Sequence, residues 1–194
     1  MKKVGLFFGS FNPIHVGHLI IANHMVDHTE LDEVWFVVSP QNPDKQKASM
    51  LEDYHRLALV RLAVEENPKL KASNVEFDLQ KPSYTIRTLV ELAEQYPNVE
   101  FALIMGEDNL RSLHKWKSHK EIVQNHHIYV YPRIADGTDW QGAYSNHPAI
   151  TRVDAPVMKI SAGHIRAYIK DGKSVEYLLT ETVRQYLEEM HFYK

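Results

Sequence analysis

Hydrophobic and polar positions alternate in blocks along the chain. Residues 3–8 are mostly apolar and stop at Gly9, which reads as a buried strand. Residues 16–28 then carry Leu19, Ile20, Ala22, Met25 and Val26 at helical spacing. Val34 to Val38 is a second buried strand, closed by Ser39 and Pro40. The polar stretch 41–50, with Pro43, Lys45 and Lys47, reads as a mobile loop. Residues 51–66 place Leu51, Leu57, Val60 and Val64 on one helical face. A short strand is expected from Val75 to Leu79, before a turn at Pro82, and a helix from about Thr85 to Gln95. Phe101 to Met105 is a further apolar strand, stopping at Gly106, and Ile128 to Tyr131 another. Residues 135–148 are turn-rich, Ile150 to Val153 reads as a last strand, and helices are expected near 161–170 and 175–190.

Strands that alternate with helices at this spacing are βαβ units. They predict an α/β fold: a parallel sheet with helices on both faces. No internal repeat or low-complexity tract interrupts it. In such sheets ligands bind beyond the carboxyl ends of the strands. The loops after Phe8, Val38, Met105 and Tyr131 are therefore expected to share one mouth.

Composition narrows the picture. The 194 residues fit a single domain, with 161–194 as a small C-terminal helical part, and 44% hydrophobic residues can fill a core. Lysine and arginine number 22 against 25 acidic residues, a formal net charge of −3. No basic excess points to nucleic acid, so an anionic ligand must be met by local charge. Cysteine is absent, which removes disulfides, thiolate metal sites and thiol nucleophiles, and fits a cytoplasmic setting. No stretch approaches the roughly 20 apolar residues of a membrane span.

The loop from Gly9 to His18 concentrates the candidate chemistry. Gly9 allows a tight turn at the strand end, Pro13 stiffens the loop, and Gly17 lets an anion approach the first helical turn. A helix N-terminus offers free N–H groups and partial positive charge to phosphate. His15 and His18, three apart, share a face there and can donate to phosphate oxygens, becoming charged when phosphate raises their pKa. Two other readings stand beside this one. The pair could ligate a metal, though no cysteine is available as a further ligand, or it could be a structural helix cap.

Gly9-Ser10-Phe11-Asn12-Pro13-Ile14-His15-Val16-Gly17-His18 resembles the signature of the nucleotidyltransferase superfamily with the His-x-Gly-His motif. Asn12 stands where many members have Asp. The resemblance implies a Rossmann-like fold and adenylyl or cytidylyl transfer. Three further segments resemble the bacterial nicotinate-mononucleotide adenylyltransferases. Ser83-Tyr84-Thr85 resembles the element whose backbone meets the nicotinate carboxylate, and Thr85 is expected to cap the following helix. Gly106-Glu107-Asp108-Asn109-Leu110 with Trp116 resembles a second element. There Gly106 lets a nucleotide approach, Asp108 accepts from a ribose or holds a polar neighbour, and Trp116 stacks on the pyridinium. For Trp116 the competing reading is core packing. Ile160-Ser161-Ala162-Gly163-His164-Ile165-Arg166 resembles the segment whose helix N-terminus holds the ATP phosphates, with Gly163 in place of the family threonine. The loop lysine, Lys45, is a phosphate partner by the same resemblance, preceded by Asp44 where histidine is common; Lys47 could share the role.

The resemblance implies transfer of AMP from ATP to nicotinate mononucleotide, releasing pyrophosphate, in NAD biosynthesis. His15 and His18 are the expected catalytic residues. Gly9, Ser10, Phe11, Lys45, Gly106, Asp108, Ile160, Ser161 and Arg166 are expected at ATP and its phosphates. Tyr84, Thr85, Trp116 and Arg133 are expected at the mononucleotide. Mg²⁺ is expected on the phosphates and water, with no protein metal site. The partners implied are the two small-molecule substrates, with no nucleic acid and no membrane. Two rivals remain: a phosphopantetheine adenylyltransferase, which shares the first loop, and a nucleotide sensor that does not turn over.

Overall fold

Every strand pairing in the sheet is parallel. The computed structural model describes residues 1–40, 49–133 and 143–194. Six strands, β1 (Lys2–Gly9), β2 (Glu33–Val38), β3 (Leu70–Ser73), β4 (Val99–Gly106), β5 (Ile128–Tyr131) and β6 (Ile150–Arg152), lie in the order β3-β2-β1-β4-β5-β6. This is the doubly wound order, in which the chain reverses direction across the sheet between β1 and β4. The central strands are apolar almost throughout because both sheet faces are covered: Val4, Leu6, Val34 and Phe36 have no solvent exposure.

Among the described residues seven helices cover the two faces: α1 (Val16–His28), α2 (Asp53–Val64), α3 (Thr85–Gln95), α4 (Glu107–Ser112), α5 (His119–Asn125), α6 (Ala162–Lys170) and α7 (Glu181–Glu189). One apolar layer joins Phe7, Phe36 and Ile104 to Met25 of α1, Leu59 of α2, Ile165 of α6 and Val183 and Leu187 of α7. The other joins Leu6, Leu103 and Val130 to Leu89 and Leu92 of α3, Leu110 of α4 and Ile122 of α5. The final helices thus share a core layer with α1 and α2.

Two expectations need correction. Val75–Phe77 is a single 3-10 turn, and the strand is Leu70–Ser73, which pairs with β2 from Val34↔Leu70 onward. The alternation of Val75, Phe77 and Leu79 suggested a strand, but Glu76 between them is the buried residue, at 2% exposure. The helix expected at 175–190 begins only at Glu181, where Thr180 caps it by accepting the Val183 N–H; Tyr177 before it has a left-handed φ of 66°. Residues 107–125, which had no assigned periodicity, contain α4 and α5, each too short to display an amphipathic stripe. The loop expected at 41–50 falls largely at 41–48, and most of the turn-rich 135–148 at 135–142; both lie outside the described residues.

Candidate active site

At the carboxyl ends of β1, β4 and β5 the sheet opens into a cleft of about 540 Å³. It is lined by Gly9, Ser10, Phe11, His15, Gly17 and His18 from the first loop, Tyr131 and Arg133 after β5, and Ile160 and Ser161 before α6. The loops after Phe8, Met105 and Tyr131 thus share the expected mouth, whereas Ser39 and Pro40 after Val38 do not line it.

The first loop is held by buried polar contacts. Phe11 takes a positive φ of 44° and turns its ring under Gly9, where an added Cβ would lie 2.8 Å from it. Arg56 on α2, with no solvent exposure, ties three segments together. Its Nη1 donates to Ser10 O (2.5 Å) and Ser39 O (2.9 Å), its Nε to Leu51 O (3.1 Å), and its Nη2 pairs with Asp53 (2.5 Å). Sequence reasoning missed Arg56, although an arginine in register with buried Leu59 and Val60, three and four residues on, was the available signal.

The two imidazoles stack face to face, ring centroids 3.7 Å apart at 20°. Phe7 and Phe11 pack edge-on against His18 at 6.0 and 5.1 Å. The backbone N–H of His15 donates to His18 Nδ1 at 3.3 Å. That bond assigns the neutral His18 proton to Nε2, which is then a donor. His15 Nδ1 is buried without a hydrogen-bond partner. Burial, with the positive charge of Arg133 adding to it, holds His15 down to about 4. His18 is pushed well below its ordinary value by burial, then by His15 and Arg133. Both rings are thus neutral in the free protein at pH 7, and any charge they carry must arrive with an anion. Gly17 serves this pair in a way the sequence did not suggest: a Cβ there would lie 3.1 Å from His15 Nδ1, so the glycine makes room for the ring itself.

Arg133, expected at the mononucleotide, lines the same cleft as the two histidines. Its Nε lies 3.5 Å from Asp108, and its Nη2 donates to the Tyr131 hydroxyl at 3.5 Å. Asp108 thus holds a polar neighbour, one of the two roles expected for it. Gly106 is needed at that junction, because a Cβ would sit 2.6 Å from Asp108 Oδ1 and 3.0 Å from Arg133 Nε.

Ser161 caps α6 by accepting the His164 N–H (3.2 Å), which leaves its hydroxyl proton to donate. Arg166 Nη1 donates to Asn12 O at 2.7 Å, joining α6 to the first loop. A Cβ on Gly163 would meet Ser161 Oγ only at 3.8 Å, so this departure from the motif is not forced by crowding.

Tyr84, Thr85 and Trp116 lie outside the cleft lining, on the face that carries α3. Thr85 does not cap α3; it is already the first helical residue, Tyr84 is the N-cap, and no side chain caps this end. The Arg87 and Thr88 N–H groups donate to Tyr84 O, and no side chain takes those of Thr85 and Ile86. Lys117 Nζ lies 4.5 Å from the Tyr84 ring centroid and Arg87 Cζ lies 5.4 Å from it, so the 83–85 and 116–117 segments meet around a cationic spot. Neither cation was singled out in the sequence. Ser83 Oγ is buried there without a partner. Trp116 is half-buried against the second core layer. Asp44, Lys45 and Lys47 lie outside the described residues. Among the described residues no cluster of three or more metal-ligating side chains exists, and no helix is long and apolar enough to cross a membrane.

Comparison with known proteins agrees with this geometry. Residues 6–168 match the cytidylyltransferase-like family. The chain is 54% identical to the "Probable nicotinate-nucleotide adenylyltransferase" of Christiangramia forsetii, covering 100% of this chain and 99% of that protein. It is 53% identical to the protein of the same name from Flavobacterium psychrophilum, covering 99% of each. Among solved structures, the Plasmodium falciparum nicotinic acid mononucleotide adenylyltransferase complexed with NaAD shares the fold, with a TM-score of 0.80 at 17% identity over 100% of this chain and 98% of that one. The first loop, the doubly wound sheet and these full-length relatives together place the chain in the nicotinate-nucleotide adenylyltransferase family.

Proposed function

We propose that this protein transfers AMP from ATP to nicotinate mononucleotide, releasing pyrophosphate and forming nicotinate adenine dinucleotide for NAD biosynthesis. The stacked His15–His18 pair carries the proposal. It faces Arg133 across a cleft that also holds the start of α6.

The acceptor phosphate is itself the nucleophile, so the protein needs to position and neutralise rather than form a covalent intermediate. The mononucleotide phosphate attacks the α-phosphorus in line; the new P–O bond forms as the bond to pyrophosphate breaks. His18 Nε2–H donates to the transferred phosphoryl group, and His15 takes up charge as the ligand arrives. Arg133, Ser161, the α6 N-terminus and Arg166 hold the phosphates, and the family resemblance adds Lys45. Gly9, Ser10, Phe11, Gly106 and Ile160 give the nucleotide close access to the backbone. Mg²⁺ would come with the triphosphate and water and would supply screening of the phosphate charge.

The α3 N-terminus at Tyr84 and Thr85, with Lys117 and Arg87 alongside, favours an anionic pyridine substituent. Trp116 flanks that spot. The substrates are small molecules, and we read the chain as one cytoplasmic nucleotidyltransferase domain that includes residues 161–194. Pyrophosphate release with ATP and each of nicotinate mononucleotide, nicotinamide mononucleotide and phosphopantetheine tests the proposal. Turnover is expected with the first, at roughly 5- to 150-fold higher kcat/KM than with the amide, from the ~1–3 kcal/mol cost of a mismatched buried polar pair. Faster turnover with phosphopantetheine, or none with any acceptor, refutes it.

A further inference from the structure

Asn12 lies at the centre of the first loop, only 4% exposed, and each of its side-chain polar atoms is bonded. Its Nδ2 donates to Ser49 O at 2.8 Å. Its Oδ1 accepts from the Leu51 N–H at 3.1 Å and from the Tyr193 hydroxyl at 2.5 Å. Its carbonyl accepts Arg166 Nη1 at 2.7 Å. Two donors converging on Oδ1 fix the amide orientation. Four segments thus meet at one residue: the first loop, the stretch entering α2, α6, and the turn after α7.

The Tyr193 bond is the one that spans the greatest sequence distance, from residue 12 to residue 193. The backbone that delivers it is unusual. His191 and Tyr193 both adopt left-handed conformations, with φ of 54° and 64°. Residues with a Cβ avoid this region unless surrounding contacts over-determine it, and such outliers cluster where geometry serves a site. Phe192 between them packs on the first core layer and against His55 at 4.7 Å, anchoring the turn so that Tyr193 points inward. Burial pushes the Tyr193 phenol upward, so it remains a protonated donor across the working range.

We infer that Tyr193 is a positioning residue for adenylyl transfer: its hydroxyl latches Asn12, and Asn12 in turn sets the first loop and the Arg166 guanidinium against the phosphates. The inference rests on the reading that this loop receives the phosphates. Pro13, Ile14 and His15 follow Asn12 directly, so freedom at Asn12 is freedom at the His15–His18 stack. Catalytic geometry tolerates little of it.

The test is Tyr193→Phe in the full chain, with kcat, both KM values and a thermal melt. The ring stays in place and only the donor is lost. The control is Tyr186→Phe, which removes a hydroxyl that bonds His55 Nδ1 at 2.8 Å and so disturbs the packing around Phe192 without taking the donor from Asn12. Tyr193→Phe is expected to lower kcat about 3- to 10-fold, the range one hydrogen bond commands. Tyr186→Phe is expected to leave kcat within about twofold while shifting the melt to a similar extent. A second variant carries tetrafluorotyrosine at 193, keeping ring and hydroxyl but lowering the phenol pKa far enough to offset the upward push of burial. Its kcat falls as pH rises through phenol ionisation, because a phenolate cannot donate to Asn12. An unchanged kcat in Tyr193→Phe, an equal loss in Tyr186→Phe, or a fluorotyrosine pH profile that superimposes on the parent overturns the latch. Inactivity of the parent protein with every acceptor would instead overturn the function on which it rests.

Discussion

Exchanging His15 for Asn should make the protein less sensitive to acid. His15 titrates at about 4 in the folded chain against an ordinary value of 6.5, chiefly because it is buried. Its folded value is depressed, so the unfolded chain takes up the proton first as pH falls. The folded state then loses stability through the window from about 6.5 down to about 4, and the stability is fully present only above it. At pH 5 the unfolded imidazole is almost wholly protonated and the folded one about a tenth so. Relative to pH 7, that difference is worth about 2 kcal/mol. With a urea m-value of about 2 kcal/mol per molar for a chain of this size, the midpoint moves by about 1 M. The assay is a pair of urea melts at pH 7 and pH 5 for the parent and for His15→Asn. The parent midpoint should fall about 1 M further than that of the variant, in excess of what the remaining histidines contribute to both. Equal pH responses would mean that His15 titrates normally and is not held neutral in the cleft. The chemistry would then begin from a charged imidazole rather than acquire its charge with the phosphate.

Other expectations follow from the same geometry. His18→Ala should lower kcat at least about 100-fold in a protein that still melts cooperatively, since a donor to developing charge is worth a few kcal/mol; retention of more than about a tenth of turnover would remove His18 from the chemistry. Arg56→Met should cost about 3–5 kcal/mol in a denaturant melt, because it leaves the Ser10, Ser39 and Leu51 carbonyls without their buried donor; a loss under about 1 kcal/mol would mean that the loops hold themselves. Trp116→Ala should raise the acceptor KM about 5- to 30-fold and spare the ATP KM; a rise in both KM values together with a lowered melt would return Trp116 to packing.

The doubly wound fold was readable because β1, β2 and β4 are buried on both faces and must be apolar along their length, a signal that survives without an alignment. The signature loop was readable because its glycines, proline and histidines occupy one continuous segment. What escaped depended on partners far away in sequence. Arg56 looks like an ordinary helical arginine until Ser10 and Ser39 are seen to present their carbonyls to it. Tyr193 acquires its meaning only from Asn12, and Lys117 only from Tyr84. The misplaced strand at Val75–Leu79 failed for another reason: an edge strand with a single neighbour needs few apolar residues, so Leu70–Ser73 gave little signal, while a buried glutamate hid within the alternation. Arg133 was assigned to the mouth that it does line, but pattern alone does not say which wall of a cleft a loop residue faces.

The most direct test of the central claim is a structure of the protein with nicotinate adenine dinucleotide bound. The account predicts the bridging phosphates against His18 Nε2, Arg133 and the start of α6, and the pyridine carboxylate on the free N–H groups at Tyr84 and Thr85. A dinucleotide seated with its phosphates away from the His15–His18 stack, or with its carboxylate facing solvent, would contradict it.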